Sequence, residues 1–379
     1  MVAVFTLIDA LGWTYLKERA FLPQVLTYRA EVRTVLGFSS AAIPAILSGR
    51  LPRDSGHWNL FYYDPENSPF KWVRHLGSLP APVLNTRLMR RAVRVISQEL
   101  SRFGGYFQIY GVPVELLPYF DICEKKDIYQ PGGVPASIFD YLKERGVSYR
   151  AYSYHQFGDS EIIQTVRRDL RARKFSFYFL YLAELDAFLH SRCHDSEGID
   201  REIDRYETWL LQVYSEALKH NGEVAFFVFS DHGMTPRRAG YDLIKQVSDL
   251  GLKMPDDYIA LYDSTMARFW LFNDQAREMV SRLLEGLSCG HILRDEEKAQ
   301  LGIDFPDNRF GDLIFLMNPG VMIEPSYFGA LAPAGMHGFH PDDRYSSAVF
   351  LGNRKPAQPV RTLTDVHNVM MDMAEAVRS

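Results

Sequence analysis

Two segments are apolar on both alternating faces, and this restricts the possible folds more than any other feature. Lys174–Leu182 (KFSFYFLYL) and Val224–Ser230 (VAFFVFS) carry apolar side chains at almost every position. A strand with one solvated face would alternate apolar and polar residues, so these two strands need cover on both faces. We therefore predict an α/β fold in which a central, mostly parallel sheet is sandwiched between helices.

The rest of the chain largely repeats the order of strand, polar stretch and helix. Further strands are predicted at Val2–Ile8, Arg33–Phe38, Asp312–Met317 and Ala348–Leu351. Helices are predicted at Arg87–Ser101, Ser137–Glu144, Ser160–Ala172, Asp200–His220, Ala276–Gly286 and Thr364–Val377. Two segments, at about 51–135 and 236–330, fit this order poorly. We interpret them as insertions that cover one end of the sheet in a single α/β domain spanning residues 1–379.

Composition excludes several classes of protein. The net charge of −5 leaves no basic excess to neutralise a phosphate backbone, so a nucleic-acid polymer is not an expected partner. Three scattered cysteines are too few for a disulfide framework or a thiolate zinc site. No secretory signal is evident, and no apolar run reaches the ~18 residues that a membrane helix needs. We expect a soluble, cytoplasmic protein without a membrane partner.

Aspartate, serine and histidine recur directly after the predicted strands. In open α/β sheets, ligands bind beyond the carboxyl ends of the strands, so these side chains are expected to meet at one edge. Residues 335–340 (GMHGFH), further along the chain, add candidate histidines. The main candidates are Asp9, Ser39, Ser40, Asp186, His190, Asp231, His232 and His337.

This choice of residue types favours a metal site. Aspartate and histidine are common ligands of zinc, and imidazole also suits manganese and iron. Asp186 and His190 are four residues apart, so on a helix they share a face and can bind one ion. Asp231 and His232 can converge only where the chain leaves the strand, and Gly233 allows the backbone to turn there. Each residue alone could be a cap, turn or surface residue, but their recurrence after successive strands favours a common site.

The order of these motifs resembles the alkaline phosphatase superfamily, most closely its type I phosphodiesterase / nucleotide pyrophosphatase branch. In that branch the nucleophilic Thr or Ser stands ten residues before the Gly of a Thr-Gly pair, as Ser39 does before Gly49. The early aspartate of the family matches Asp9. Its Asp-x-x-x-His, Ser-Asp-His-Gly and Gly-x-His-Gly motifs match residues 186–190, 230–233 and 335–338.

The resemblance implies a metal-dependent hydrolase that cleaves small phosphate diesters through a covalent phosphoserine at Ser39. It also implies an alkaline phosphatase-like fold and two divalent ions, with zinc expected and manganese as the alternative. Two ions suit an in-line displacement at phosphorus, because one stabilises the attacking oxygen and the other the leaving oxygen. One site would consist of Asp186, His190 and His337, and the other of Asp9, Ser39, Asp231 and His232.

Several assignments have rivals. Ser40 could replace Ser39 as the nucleophile, although the ten-residue spacing favours Ser39. The diesterases of the family hold a non-bridging phosphoryl oxygen with an asparagine; Asn59 is the candidate here, about one residue out of register, and could instead be a turn residue. His340 is a rival to the histidine of the Gly-x-His-Gly motif, and His194 is expected on the surface.

An aromatic run lies just beyond the proposed nucleophile. Its rings could stack on a flat leaving group, or they could build a small core of their own, which is the interpretation we favour. The run consists of Trp58, Phe61, Tyr62, Tyr63 and Trp72.

Other functions within the same superfamily remain open from sequence. Arg50 and Arg53, near the nucleophile, could hold the free phosphate of a monoester. A phosphomutase or a non-catalytic metal-binding relative are further alternatives.

Overall fold

The computed structural model describes residues 1–77 and 79–378. Its strands are β1 Val2–Ile8, β2 Tyr28–Val32, β3 Phe61–Tyr63, β4 Phe120–Ile122, β5 Tyr149–Tyr152, β6 Phe177–Leu182, β7 Val224–Phe229, β8 Thr235–Pro236, β9 Ala239–Tyr241, β10 Tyr258–Tyr262, β11 Met266–Leu271, β12 Gly290–Ile292, β13 Leu313–Met317, β14 Val321–Ile323, β15 Gly335–Met336 and β16 Ala348–Gly352. Six of them form the main sheet, which is mostly parallel, in the order β2-β16-β7-β1-β6-β5.

Helices lie between most of these strands. The α-helices are α1 Trp13–Leu16, α2 Ser39–Ser48, α3 Pro52–Ser55, α4 Ala81–Leu84, α5 Arg87–Ser101, α6 Ile138–Glu144, α7 Asp159–Arg171, α8 Glu184–Arg192, α9 Ser196–Asn221, α10 Leu243–Ser248, α11 Asp274–Glu285, α12 Asp295–Leu301 and α13 Leu363–Arg378. Two 3₁₀ helices occupy Lys71–Leu76 and Val114–Tyr119. No helix of the described residues is both long enough and apolar enough to cross a bilayer.

The three central strands of the main sheet end at the same level. β1 pairs in parallel with both β6 and β7, and Leu7 lies opposite Tyr181 on one side and Phe229 on the other. The residues that follow these three strands therefore emerge at the same edge of the sheet. β16 runs antiparallel to both of its neighbours, β7 and β2.

Alternate residues of the central strands enter two separate cores. Phe5, Phe179 and Phe227 belong to the core that α2, α6 and α13 cover. Val4 and Phe226 belong to the opposite core, covered by α7, α8 and α9. Helices on both faces account for the absence of a polar face in these strands. The predicted α/β fold is confirmed.

The predicted strand Arg33–Phe38 is wrong. The strand that joins the sheet is β2, which ends at Val32, and the following residues form a loop leading into α2. Two local features prevent continuation of the ladder: the Leu36 carbonyl accepts a hydrogen bond from the Trp58 indole at 2.7 Å, and Gly37 has a φ of 125°. A side chain distant in sequence takes the place of a strand partner here.

The strand predicted at Asp312–Met317 exists, as β13, but it belongs to a second sheet. That sheet is antiparallel, in the order β10-β11-β13-β12, and lies within the segment 236–330. The long helix α9 begins four residues before the predicted Asp200, since the Asp195 side chain accepts the Gly198 N–H at 2.8 Å and caps the helix.

The two segments that fit the strand–helix order poorly contact each other. The Tyr63 N–H donates to the Arg309 carbonyl at 2.7 Å. The buried Arg268 guanidinium donates to the Phe61 carbonyl at 2.8 Å and to the Asp263 carboxylate at 3.0 Å. Both segments also supply walls to the cavity at the carboxyl edge of the main sheet.

Candidate active site and metal centre

A cavity of about 550 Å³ lies at the carboxyl edge of the main sheet. Most of its lining comes from residues that follow strands of the main sheet, from the segment 51–135 and from the segment 236–330. The proposed site residues on its wall are Asp9, Ser39, Asp186, His190 and His337, with Asn59 beside them.

The first cluster, which we call the histidine-rich group, consists of Asp186, His190 and His337. One ligand atom from each lies within 4.8 Å of the others. Asp186 and His190 share one face of α8, and their Oδ2 and Nε2 atoms are 3.3 Å apart. His337 follows β15, and its Nε2 lies 3.7 Å from the other oxygen of Asp186. These are the three residues predicted for one metal site.

The second cluster, the serine-side group, consists of Asp9, Asp186 and His232, again within 4.8 Å of one another. The His232 Nε2 is 3.5 Å from Asp9 Oδ1 and 3.1 Å from the Ser39 hydroxyl oxygen. Asp186 belongs to both groups and so joins them. The sequence motifs had assigned it to the histidine-rich group alone.

Asp231 lies beside the serine-side group. Its Oδ2 is 3.0 Å from His232 Nε2, and its Oδ1 accepts the backbone N–H of Ala10 at 3.3 Å. The turn that directs both Asp231 and His232 into the site depends on Gly233, because a Cβ there would lie 2.1 Å from the Tyr345 carbonyl oxygen. This close approach explains why glycine ends the Ser-Asp-His-Gly motif.

The donor atoms are suited to cations. Within the described part of the chain, four buried atoms at the site have no hydrogen-bond partner: Asp9 Oδ1, Asp186 Oδ1, Asp231 Oδ2 and His337 Nδ1. Burial raises the pKa of Asp9 well above its usual range, and the Asp231 and Asp186 carboxylates raise it further. Burial also lowers the pKa of His337, and His232 and His190 add to this effect. Crowded carboxylates beside the imidazole rings, with that of His337 held neutral, form a donor set that suits zinc or manganese.

Two histidines are oriented by backbone carbonyls. His232 Nδ1 lies 3.0 Å from the Gly233 carbonyl, and His190 Nδ1 lies 2.9 Å from the Gly335 carbonyl. A carbonyl can only accept, so Nδ1 carries the hydrogen in each ring and, in the neutral form, Nε2 presents its lone pair to the site. This is the orientation that surrounding hydrogen bonds impose on metal-binding histidines.

Ser39 is the first residue of α2, whose N-terminus has no side-chain cap. The first amide groups of a helix lack partners within it and favour anions. The helix is ten residues long and ends at Gly49, which has a φ of 67°. The ten-residue spacing of the motif is therefore the length of this helix. Ser40 differs from Ser39, since its hydroxyl donates to the Trp58 carbonyl at 3.2 Å.

The remaining predicted residues are divided between the cavity and other regions. Asn59 is buried, lines the cavity and places its amide 3.8 Å from the Met266 sulfur. His340 lies near Glu297 and Asp342, outside both groups, and His194 is exposed as predicted. Arg50 and Arg53 do not line the cavity, and Arg53 instead bonds to Asp304.

The aromatic run after the nucleophile builds a core, as the favoured interpretation predicted. Trp58 is fully buried against Phe310, and Trp72 donates to the Ser97 hydroxyl at 3.0 Å. Of the run, Phe61 alone lines the cavity in the described part of the chain. The aromatic rings of the cavity come mainly from elsewhere: Tyr106, Tyr110, Tyr129, Tyr154, Tyr181, Tyr327 and Phe328.

Two supporting residues were missed from sequence. The Tyr181 hydroxyl donates to Asp9 Oδ2 at 2.5 Å. The buried Asp159 carboxylate accepts the backbone N–H groups of Ala183 and Glu184, both at 3.0 Å, at the start of α8. The hydroxyl near the end of an apolar strand was an available signal for Tyr181. Asp159 carried no signal, because it acts on a helix that follows a different strand.

The fold and site define an α/β protein with a nucleophile-like serine beside a pair of aspartate–histidine clusters. The family model of type I phosphodiesterase / nucleotide pyrophosphatase matches residues 4–340. The chain belongs to this family, whose members are hydrolases acting on phosphoric ester bonds. This confirms the family that the order of motifs predicted.

Solved structures of low sequence identity share the fold. Human ectonucleotide pyrophosphatase / phosphodiesterase 5 is 12% identical with a TM-score of 0.68, covering 99% of this chain and 95% of that one. An inactive variant of the murine protein in complex with AMP is 14% identical, with the same TM-score of 0.68 and the same coverage. Phosphonoacetate hydrolase from Sinorhizobium meliloti 1021, in complex with phosphonoformate, is 14% identical, with a TM-score of 0.64 and coverage of 99% and 96%. No curated protein sequence matches the chain.

We predict that Asp159→Ala lowers both stability and metal affinity. The substitution leaves two amides and the Tyr206 hydroxyl without their acceptor, which costs about 1–3 kcal/mol, and it loosens the helix that carries Asp186 and His190. Urea unfolding and zinc titration measure the two effects. The control is Asp195→Ala, which removes the cap of α9, costs about 1 kcal/mol and leaves zinc affinity unchanged. Equal zinc affinity in the two variants would contradict this role for Asp159.

A second prediction concerns metal stoichiometry. If the two groups each hold one ion, His337→Ala loses one ion and Asp186→Ala loses both, since Asp186 belongs to both groups. Inductively coupled plasma mass spectrometry on the purified variants measures the content. His340→Ala is the matched control and keeps the full content, because His340 lies outside both groups. Retention of one tightly bound ion by Asp186→Ala would refute a shared carboxylate.

Proposed function

We propose that this chain hydrolyses phosphate diesters through a covalent phosphoserine at Ser39, with two divalent cations. The observation that carries the proposal is the position of the Ser39 hydroxyl, 3.1 Å from His232 Nε2, beside two donor groups that share Asp186. The histidine-rich group would hold one cation. The serine-side group, with Asp231 and the Ser39 hydroxyl, would hold the other.

The chain's own residues account for two displacements. The Ser39 hydroxyl gives up its proton to solvent, and its oxygen forms a bond to phosphorus while the bond to the leaving oxygen breaks; the departing alkoxide takes a proton from solvent and leaves as the alcohol. Water then loses a proton and attacks the phosphoseryl group, the bond between phosphorus and Ser39 breaks, and the serine oxygen takes up a proton. The first amides of α2, beside the Ser39 oxygen, would face the non-bridging oxygens that gain charge, and Asn59 is a further candidate donor. Bound divalent cations would stabilise charge on the attacking and leaving oxygens. The aspartate and histidine donors favour zinc or manganese in this role.

The charge of the cavity favours a diester over a monoester. A monoester brings an additional negative charge that a hydrolase has to neutralise. Arg268 is the one arginine or lysine among the described residues that line the cavity, and the Asp263 carboxylate pairs with it at 3.0 Å. Arg50 and Arg53, the candidates for holding a free phosphate, do not line it.

The walls of the cavity support the proposed domain organisation. We propose that residues 1–379 form one catalytic domain in which the segments at about 51–135 and 236–330 are insertions that cap the active site. Residues of the first segment, such as Asn59 and Phe61, face the cavity together with Asp263 and Phe328 of the second. Substrate choice would then depend on these two segments.

We expect Ser39→Ala to lower kcat by about 10³-fold or more, because the covalent route is lost while binding persists. Metal content and the midpoint of thermal unfolding are expected to stay near wild-type values, since the hydroxyl is one ligand among several. Ser40→Ala is the matched control and costs less than about tenfold, because its hydroxyl bonds to the Trp58 carbonyl. A chiral thiophosphate diester tests the mechanism independently, since two displacements retain configuration at phosphorus. Inversion, or near-normal turnover by Ser39→Ala, would refute the phosphoserine route.

A substrate panel tests the reaction class. With zinc or manganese present, bis(p-nitrophenyl) phosphate is expected to be hydrolysed faster than p-nitrophenyl phosphate, p-nitrophenyl sulfate or phosphonoacetate. Chelation is expected to abolish turnover and lower the melting temperature, because cations that bind only the folded state stabilise it. Restored activity after zinc is returned separates metal loss from unfolding. Faster hydrolysis of the monoester, or full activity in excess chelator, would overturn the proposal.

A further inference from the structure

Half of the exposed large apolar side chains among the described residues lie in one short segment, between positions 79 and 100. They are Leu79, Val83, Leu88, Val95, Ile96 and Leu100. None of the six belongs to either core or packs against one. Exposed apolar residues scattered singly are ordinary on a protein surface, whereas their concentration in one segment indicates a surface that binds a partner.

Three stripes of residues run along α5, each repeating every three or four positions and therefore lying on one side of the helix. Val93 and Ser97 form the buried stripe, and the Ser97 hydroxyl accepts the Trp72 indole N–H at 3.0 Å. The other two stripes form the outer side of the helix, which we call the α5 face. The apolar stripe is Leu88, Ala92, Val95 and Ile96, and the basic stripe is Arg87, Arg91 and Arg94.

The segment is basic although the chain is acidic overall. Residues 87–102 contain five arginines and a single acidic residue, Glu99, whereas the whole chain has a net charge of −5. None of the five arginines forms an ion pair with a described carboxylate. Arg90 donates to the Val112 carbonyl instead, and Arg94 contacts the neutral side chain of Gln108. The positive charge of the α5 face is therefore left without a counter-charge from the protein.

An anionic membrane surface fits this combination of stripes. A helix with apolar and arginine-rich sides can lie in the plane of the membrane, where the apolar side chains enter the headgroup boundary and the arginines meet the lipid phosphates. Such a helix needs no apolar run long enough to cross the bilayer. The sequence-based expectation of no membrane partner rested on the lack of that run. A second copy of the chain is disfavoured, since two such faces would bring unpaired arginines together.

The inner side of α5 is tied to the wall of the active-site cavity. Arg90 donates to the Val112 carbonyl at 2.8 Å and also to the Tyr110 carbonyl. Both Tyr110 and Val112 line the cavity. A membrane bound by the α5 face would therefore lie close to the active site.

We infer that the α5 face docks this protein on membranes that contain anionic lipids. The apolar stripe supplies the contact with the lipid, and the basic stripe supplies the preference for negative headgroups. This docking is separate from bond cleavage, and it does not depend on the proposed phosphodiesterase function.

Co-sedimentation with two kinds of vesicle tests the inference. One kind is phosphatidylcholine alone, and the other contains about 30% phosphatidylglycerol. We expect the full chain to bind the anionic vesicles at least about tenfold more tightly, because several arginines act together near the charged surface. Raised salt is expected to weaken this binding by screening. The net charge of −5 would repel anionic vesicles, so a preference for them requires a local basic surface.

Two double variants separate the contributions of the stripes. Leu88→Ser with Val95→Ser removes apolar contact, and Arg87→Glu with Arg91→Glu reverses the charge. Each pair is expected to weaken binding to anionic vesicles at least about tenfold. The matched control is Leu211→Ser with Leu218→Ser on α9, which also replaces two exposed leucines and is expected to keep wild-type binding.

Equal binding of the wild type to both kinds of vesicle, or an equal loss in the control, would overturn the inference. Hydrolysis of soluble bis(p-nitrophenyl) phosphate is expected to stay at the wild-type rate in the serine variants, because neither Leu88 nor Val95 lines the cavity. If the diester is not hydrolysed by any of the proteins, the phosphodiesterase proposal fails and the vesicle assay still decides the docking.

Sedimentation velocity without vesicles distinguishes a contact between copies of the chain. If the α5 face paired two copies, the wild type would be a dimer, and Leu88→Ser with Val95→Ser would convert it to a monomer. Such a dimer without vesicle binding would overturn the inference. A wild type and a serine variant of the same mass, with vesicle binding by the wild type alone, is the result we expect.

Discussion

The crowding of three carboxylates, from Asp9, Asp186 and Asp231, is the constraint on which the rest of the site depends. Burial, together with the Asp231 and Asp186 carboxylates, raises the pKa of Asp9, so the ionised cluster needs compensation. Two hydrogen bonds supply part of this compensation: the Tyr181 hydroxyl donates to Asp9, and the Ala10 amide donates to Asp231. The buried oxygens left without partners are those best placed to bind cations.

The main sheet and the segments 51–135 and 236–330 contribute differently to the site. The central strands bring the carboxylates to one edge, and Asp159 holds the start of α8 in place from a neighbouring helix. These two segments line much of the cavity, and the buried Arg268 of the second contacts the first through the Phe61 carbonyl. The candidate site residues and most of the walls around them thus come from different parts of the chain, in a fold whose solved examples include complexes with AMP and with phosphonoformate.

Prediction from sequence was correct where a local pattern of residues reflects burial. It was wrong where a side chain distant in sequence determines the local backbone structure. The apolar strands β6 and β7 were evident because burial on both faces leaves no polar positions. The strand expected at Arg33–Phe38 was absent, since the Trp58 indole binds the Leu36 carbonyl. The main aromatic rings of the cavity were missed for a related reason: Tyr106 and Tyr154 lie in loops, where no periodicity indicates which way a ring faces.

The sequence by itself determined the fold class, the family and the identity of the candidate ligands, because each ligand directly follows a strand or belongs to a short motif. Tertiary structure decided which of those ligands belong to which of the two groups. Asp186 joins both groups because α8 carries it within reach of both His232 and His337, a position set by helix packing rather than by spacing along the chain.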